Sequence, residues 1–116
     1  MKPQFIIGAA SSGSGKTTFT MGLLRALAHR GMRVQPYKCG PDYIDTQFHS
    51  LASKQVSVNL DTWLASEEHV CSLYHSYGKD ADVCTVEGVM GLYDGYSGMK
   101  GSSAAMAALL DIPVIL

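Results

Sequence analysis

The sequence has 116 residues, 47% hydrophobic and 16% charged, which suits one domain of ordinary size or part of a larger one. A chain of that length can bury about two-thirds of its unfolded surface, so neither disulfides nor a structural metal are needed to hold it. Nine Lys and Arg against ten Asp and Glu leave a net charge of −1, too little positive field to hold a nucleic-acid backbone.

Three cysteines, Cys39, Cys71 and Cys84, are odd in number and widely spaced, so they give neither a disulfide framework nor a CxxC metal pair. A reducing compartment suits them. The longest apolar run, Ala104–Leu110, has seven residues, far below the ~20 that span a bilayer. The first residues, Met1 to Ile7, pass into glycine and serine too soon for a signal peptide. A cytoplasmic protein with no membrane and no nucleic-acid partner is expected.

In chain order, Gln4–Ile7 reads as a buried strand running into a Gly/Ser-rich turn at 8–15. From Thr17 the period becomes helical: Phe19, Leu23 and Leu27 recur at i, i+4 and i+8, Leu24 and Ala28 widen the stripe, and Gly31 stops it. Val34–Lys38 reads as a second strand. Residues 39–64 read as irregular, with a short helix around Thr46–Ala52. Ser66 before Glu67 and Glu68 looks like a helix start, with Val70, Leu73, Tyr74 and Tyr77 on its apolar face and Gly78 at its end. Asp82–Val86 is a third strand, 88–101 a loop with five glycines, Ser102–Leu110 a last helix, and Ile112–Leu116 a fourth strand. The alternation predicts an α/β fold, with a mostly parallel sheet between helical layers, cut off after about four strands.

The segment Ala10-Ser11-Ser12-Gly13-Ser14-Gly15-Lys16-Thr17 fits the P-loop pattern GxxxxGK[ST], except that Ala10 stands where the first glycine belongs. The residue types follow from the ligand. A triphosphate needs inward backbone N–H groups, which Gly13 and Gly15 permit by removing Cβ from the wall. Lys16 supplies a flexible cation, Thr17 a hydroxyl for Mg²⁺, and the helix beginning there adds the positive end of its dipole. A strand before and an amphipathic helix after complete the context, so Ser12, Gly13, Ser14, Gly15, Lys16, Thr17 and Thr18 form the expected nucleotide cradle.

Acids come next. Glu87 ends the third strand, where a carboxylate of a P-loop protein commonly sits near the metal and faces the ligand crevice of an open sheet. Asp42 and Asp45 follow the second strand across a Gly-Pro turn; they suit metal or substrate contacts, or simply the turn. Asp94 lies in the glycine-rich loop. Tyr37, Tyr43, Tyr93 and Tyr96 sit in or beside these loops, as pocket lining or as packing. His69, Cys71 and His75 do not assemble a four-ligand zinc site.

Three stretches, with the P-loop, together resemble the cobyrinic acid a,c-diamide synthase family: Lys38-Cys39-Gly40-Pro41-Asp42-Tyr43-Ile44-Asp45; Phe48-His49 with Asn59-Leu60-Asp61; and Glu87-Gly88-Val89-Met90-Gly91-Leu92-Tyr93-Asp94-Gly95. Gly101-Ser102-Ser103-Ala104 and Ile112-Pro113-Val114 continue the likeness, which covers nearly the whole chain. That family, like its dethiobiotin synthetase relative, tolerates a non-glycine at the first P-loop position.

The resemblance implies an ATP- and Mg²⁺-dependent amidoligase that activates the a and c carboxylates of a corrin for attack by ammonia. The ammonia would come from glutamine, through a glutaminase domain that nothing here matches. The 116 residues are therefore expected to be the N-terminal part of the synthetase domain, inactive alone, with a homodimer as one option for the assembly. Carried onto this sequence, the resemblance puts Thr17, Asp42 and Glu87 around Mg²⁺. It has Asp45 and Asp94 position the carboxylate or its acyl-phosphate, Tyr43 and Ile44 touch the tetrapyrrole, and Lys16 and Lys38 neutralise phosphate charge. Loop 88–101 would be a lid, and the Ser102 helix start a second anion site. Nickel-sirohydrochlorin or hydrogenobyrinate are the competing rings. A partitioning-type ATPase switch, a rival of another class, would carry a lysine where Ser11 stands, and a carboxylase of the dethiobiotin synthetase kind is a third reading.

Overall fold

Short apolar strands alternating with amphipathic helices can cover both faces of a sheet only if the strands run parallel and the helices lie on both sides. The computed structural model has that arrangement, and describes residues 2–8, 15–40, 50, 53, 55–61, 66–88 and 102–115. In chain order these form β1 (Gln4–Ile7), α1 (Lys16–His29), β2 (Val34–Cys39), β3 (Val58–Leu60), α2 (Glu67–Gly78), β4 (Val83–Glu87), α3 (Ser103–Leu110) and β5 (Val114–Ile115). The strands make one sheet in the order β3-β2-β4-β1-β5, and every pairing is parallel.

On one face, Leu24 of α1 packs with Val34, Val83, Phe5, Leu27 and Met32. On the other, Val70 and Tyr74 of α2 and Met106, Ala107 and Leu110 of α3 close over Ile6, Tyr37, Cys39, Cys84 and Val86. The chain leaves β1 through α1 toward β2 and leaves β4 through α3 toward β5, on opposite faces. The neighbouring ends of β1 and β4, where Ile7 pairs with Glu87, therefore form a topological switch point, the usual ligand position of an open α/β sheet.

The structure departs from the sequence expectations in three places and decides a fourth, Tyr37, which the sequence left open between pocket lining and packing. Among the described residues five strands form rather than about four, because Val58–Leu60 pairs with Tyr37–Cys39 of β2. Three residues at a sheet edge carry no periodicity of their own, so only the pairing reveals them. Phe19 is 54% exposed, whereas Thr20 and Leu24 are buried. Thr20 can sit on the buried stripe of α1 because its hydroxyl satisfies itself by donating to the Lys16 carbonyl at 2.8 Å. Tyr77, expected on the apolar face of α2, is half exposed. Tyr37 lines no loop: it alternates with Lys38 along β2 and so points to the opposite face, where its hydroxyl donates to the Tyr74 carbonyl at 2.6 Å. Of the short helix expected around Thr46–Ala52, Ser50 is helical and the rest lies outside the described residues, as do Tyr43, Tyr93 and Tyr96.

Helix ends follow local rules. Ser66 and Ser102 cap α2 and α3, accepting from the amides of His69 and Ala105 at 3.1 Å each. Gly31, at φ 81°, ends α1. Lys2 donates to the carbonyls of Gly78 and Lys79, just where α2 leaves its last acceptors open. Pro36 lies inside β2, and the Gln35 amide bridges its carbonyl (3.0 Å) to that of Val56 (2.8 Å), tying β2 to the segment that enters β3.

The three cysteines are free, Cys39 and Cys84 buried and Cys71 partly so. Burial pushes the Cys39 thiol from 9.0 up to about 12, with Lys38 and Lys16 pulling it down and Glu87 adding to the rise. Burial also raises Cys84, Tyr37 and Tyr74. These acids hold their protons more tightly folded than unfolded. Their contribution is complete below the unfolded thiol value of 9.0 and is lost as pH climbs toward about 12. Denaturant titrations of the intact protein should therefore show stability falling between about pH 9 and pH 11, and a level profile would contradict it. At neutral pH a thiol reagent should label Cys71 and spare Cys39 and Cys84.

Candidate functional site

The site grows from three strand ends and one helix start. Gly15 precedes α1 at φ 86° and ψ 13°, a left-handed conformation that costs glycine nothing. No side chain caps α1, so the helix opens with uncapped backbone N–H groups and the positive end of its dipole. Lys16 is its first residue, Thr17 its second, and Thr18, beside them, is exposed.

Below that helix start lie two buried charges. Lys38 and Glu87 are register partners on β2 and β4, with side chains only 4% and 0% exposed. Lys38 Nζ donates to Glu87 Oε2 at 2.6 Å and to the Gly88 carbonyl at 3.1 Å. Thr17 Oγ1 donates to the same Glu87 Oε2 at 2.9 Å. One carboxylate oxygen thus joins α1, β2 and β4. Leaving either charge alone in this interior would be expensive, so the pair stands or falls together.

Two further contacts shape the surroundings. Asn59 of β3 donates to the Gly40 carbonyl at 2.7 Å, and Gly40 itself has φ 79°. This holds the root of the segment bearing Asp42 and Asp45. Gly88, directly after Glu87, donates its N–H to the Ile7 carbonyl at 2.8 Å. A Cβ on Gly88 would overlap Ser103 Oγ and come within 2.9 Å of both Ser103 Cβ and the Ile7 carbonyl oxygen. The Ile7 oxygen belongs to a central strand and cannot retreat. Gly88→Ala should therefore cost about 1–3 kcal/mol, read as a lower denaturation midpoint of the intact protein. Unchanged stability would mean that the strand end and α3 are not packed this closely.

Of the residues singled out from the sequence, the structure brings Lys16, Thr17, Lys38 and Glu87 to one end of the sheet. Ser12, Gly13, Ser14, Asp42, Tyr43, Ile44, Asp45 and Asp94 lie outside the described residues. Sequence reasoning missed the direct Lys38–Glu87 pair and the packing of Ser103 on Gly88. A charged residue near the end of each of two apolar strands was the available signal, but it becomes a pair only once β4 is known to lie beside β2.

The donors suit a hard cation. Thr17 Oγ1 and the Glu87 carboxylate are oxygens within 2.9 Å of each other. Mg²⁺ commonly uses one or two such protein ligands, taking its remaining positions from water and phosphate. Among the described residues no three His, Cys, Asp or Glu side chains gather. Among them, too, no helix is long and apolar enough to cross a membrane.

Residues 5–115 match the family described as the CobQ/CobB/MinD/ParA nucleotide binding domain. The chain is 51% identical over 116 residues to the cobyrinate a,c-diamide synthase of Dehalococcoides mccartyi, covering 98% of this chain and 25% of that protein. It is 51% identical over 116 residues to the enzyme of that name from Streptococcus sanguinis, covering 97% and 26%. To the hydrogenobyrinate a,c-diamide synthase of Streptomyces coelicolor it is 49% identical over 116 residues, covering 98% and 24%. It thus spans about a quarter of the length of these relatives.

Proposed function

We propose, proceeding from the fact that this chain belongs to the CobQ/CobB/MinD/ParA nucleotide binding domain family, that it holds ATP within an enzyme that amidates the a and c side-chain carboxylates of cobyrinate. The observation that carries the reading is the joining of Lys38, Glu87 and Thr17 at the switch point, under the helix that Lys16 begins. A triphosphate and an acceptor carboxylate repel each other, so a site that reacts them must hold both in line and neutralise their charge.

In this reading the N–H groups at the start of α1 and the Lys16 ammonium bind the phosphates. Thr17 and Glu87, with Asp42, would hold Mg²⁺, whose charge would offset that of the phosphates. Asp45, Asp94, Tyr43 and Ile44 receive the tetrapyrrole. The acceptor carboxylate oxygen bonds to the γ-phosphorus as the bond to ADP breaks. Ammonia then bonds to the acyl carbon, phosphate leaves with the oxygen, and the nitrogen sheds a proton to give the amide. Glutamine is the proposed ammonia source, hydrolysed by a glutaminase domain of the intact protein, which would work in the cytoplasm.

ATP hydrolysis by the intact protein should be stimulated by cobyrinic acid and accompanied by conversion of acid to amide on mass spectrometry. Stronger stimulation by hydrogenobyrinic acid or nickel-sirohydrochlorin would keep the chemistry and change the ring. Hydrolysis indifferent to every carboxylic acid would overturn the ligase and favour a nucleotide switch, against which Ser11 stands in place of an early P-loop lysine.

A further inference from the structure

The resemblance implies a phosphate role for Lys38, whereas the contacts its ammonium makes here are with the end of β4. It is 2.6 Å from Glu87 Oε2 and 3.1 Å from the Gly88 carbonyl, and the side chain is 4% exposed. Gly88 is fixed on two other sides, by its N–H bond to Ile7 and by Ser103 against its α-carbon. The end of β4 is therefore clamped, and Lys38 supplies a cation to that clamp.

Thr17 and Lys38 share one carboxylate oxygen, but they differ in what each can do next. A hydroxyl can give up its donated hydrogen bond and turn a lone pair toward a cation. An ammonium has no lone pair and can act only as a donor. If Thr17 turns to ligate a metal, Lys38 remains to fix the carboxylate's position and keep it charged.

We propose that Lys38 is a positioning residue, which sets the Glu87 carboxylate for a divalent cation and anchors the Gly88 carbonyl, rather than a phosphate-binding residue. This rests on the reading of Glu87 and Thr17 as cation ligands given above. Partners that orient metal ligands from behind typically change metal affinity by about 10- to 100-fold when removed.

The test titrates the intact protein with a fluorescent ATP analogue, once in Mg²⁺ and once in EDTA. In Lys38→Met the Mg²⁺ concentration needed for half-maximal enhancement of binding should rise about 10-fold or more, while affinity in EDTA stays within about twofold of wild type. An equal loss of affinity in Mg²⁺ and EDTA would place Lys38 on phosphate and overturn the proposal, as would an unchanged Mg²⁺ requirement. Should Lys38→Met fail to fold, Lys38→Arg serves. It keeps the charge but displaces the anchor, and should raise the Mg²⁺ requirement several-fold with EDTA affinity intact; no shift would overturn the proposal. A wild-type protein whose nucleotide binding ignores Mg²⁺ would instead remove the cation reading of Glu87 itself, and the inference with it.

Discussion

Lys16→Ala in the intact protein is expected to weaken ATP binding by about 100-fold, the upper range for a hydrogen bond to a charged partner, and to lower turnover by about a thousandfold. Lys16 is the first residue of α1, after a glycine whose left-handed conformation turns the chain into the helix. Lys16 is half-buried, so in the proposed site its ammonium would meet phosphate partly desolvated, where charge counts for more than in water. Alanine is a good helix former, so the variant keeps the propensity of α1. Wild-type affinity in this variant, measured by fluorescence titration, would show that nucleotide binds elsewhere.

Glu87→Gln is expected to fail twice over. Turnover should drop by about 100-fold or more as the carboxylate proposed to meet the cation becomes a neutral amide. Read from the sequence alone, a residue at a strand end should matter to catalysis far more than to folding. Its complete burial changes that expectation. The substitution strands the Lys38 ammonium in the interior, and breaking such a pair from one side typically costs about 3–5 kcal/mol. The amide oxygen can still accept from Lys38, which puts the cost toward the lower end. Adding Lys38→Met removes the stranded charge, so the double variant should recover much of the stability and none of the turnover. Denaturant midpoints of the two variants and wild type give the comparison. A Glu87→Gln protein as stable as wild type would mean the pair is solvated rather than buried.

Both expectations draw on parts of the molecule that differ in how readable they were. The Gly15-Lys16-Thr17 turn, the helix after it and the caps at Ser66 and Ser102 follow from rules acting over a few residues. They were legible because spacing, glycine placement and cap chemistry are local. The resemblance added the order of the motifs and hence the proposed reaction class. The rotation of α1 that exposes Phe19 was not legible, because Thr20 is polar by type and becomes buriable only by bonding to the backbone a turn earlier.

What the sequence determined by itself is a set of candidate groups: a lysine and a hydroxyl at a helix start, and an acid at the end of a strand, in an alternating α/β chain. Only the tertiary structure decided which of them meet. Lys38 and Glu87 are 49 residues apart and become neighbours because β4 inserts between β1 and β2. Nothing in either strand's own pattern dictates that order, since any apolar parallel strand can pair with any other. It is set by which arrangement lets α1 cover one face and α2 and α3 the other. The same insertion takes both charges out of water, turning two separate polar residues into one coupled unit.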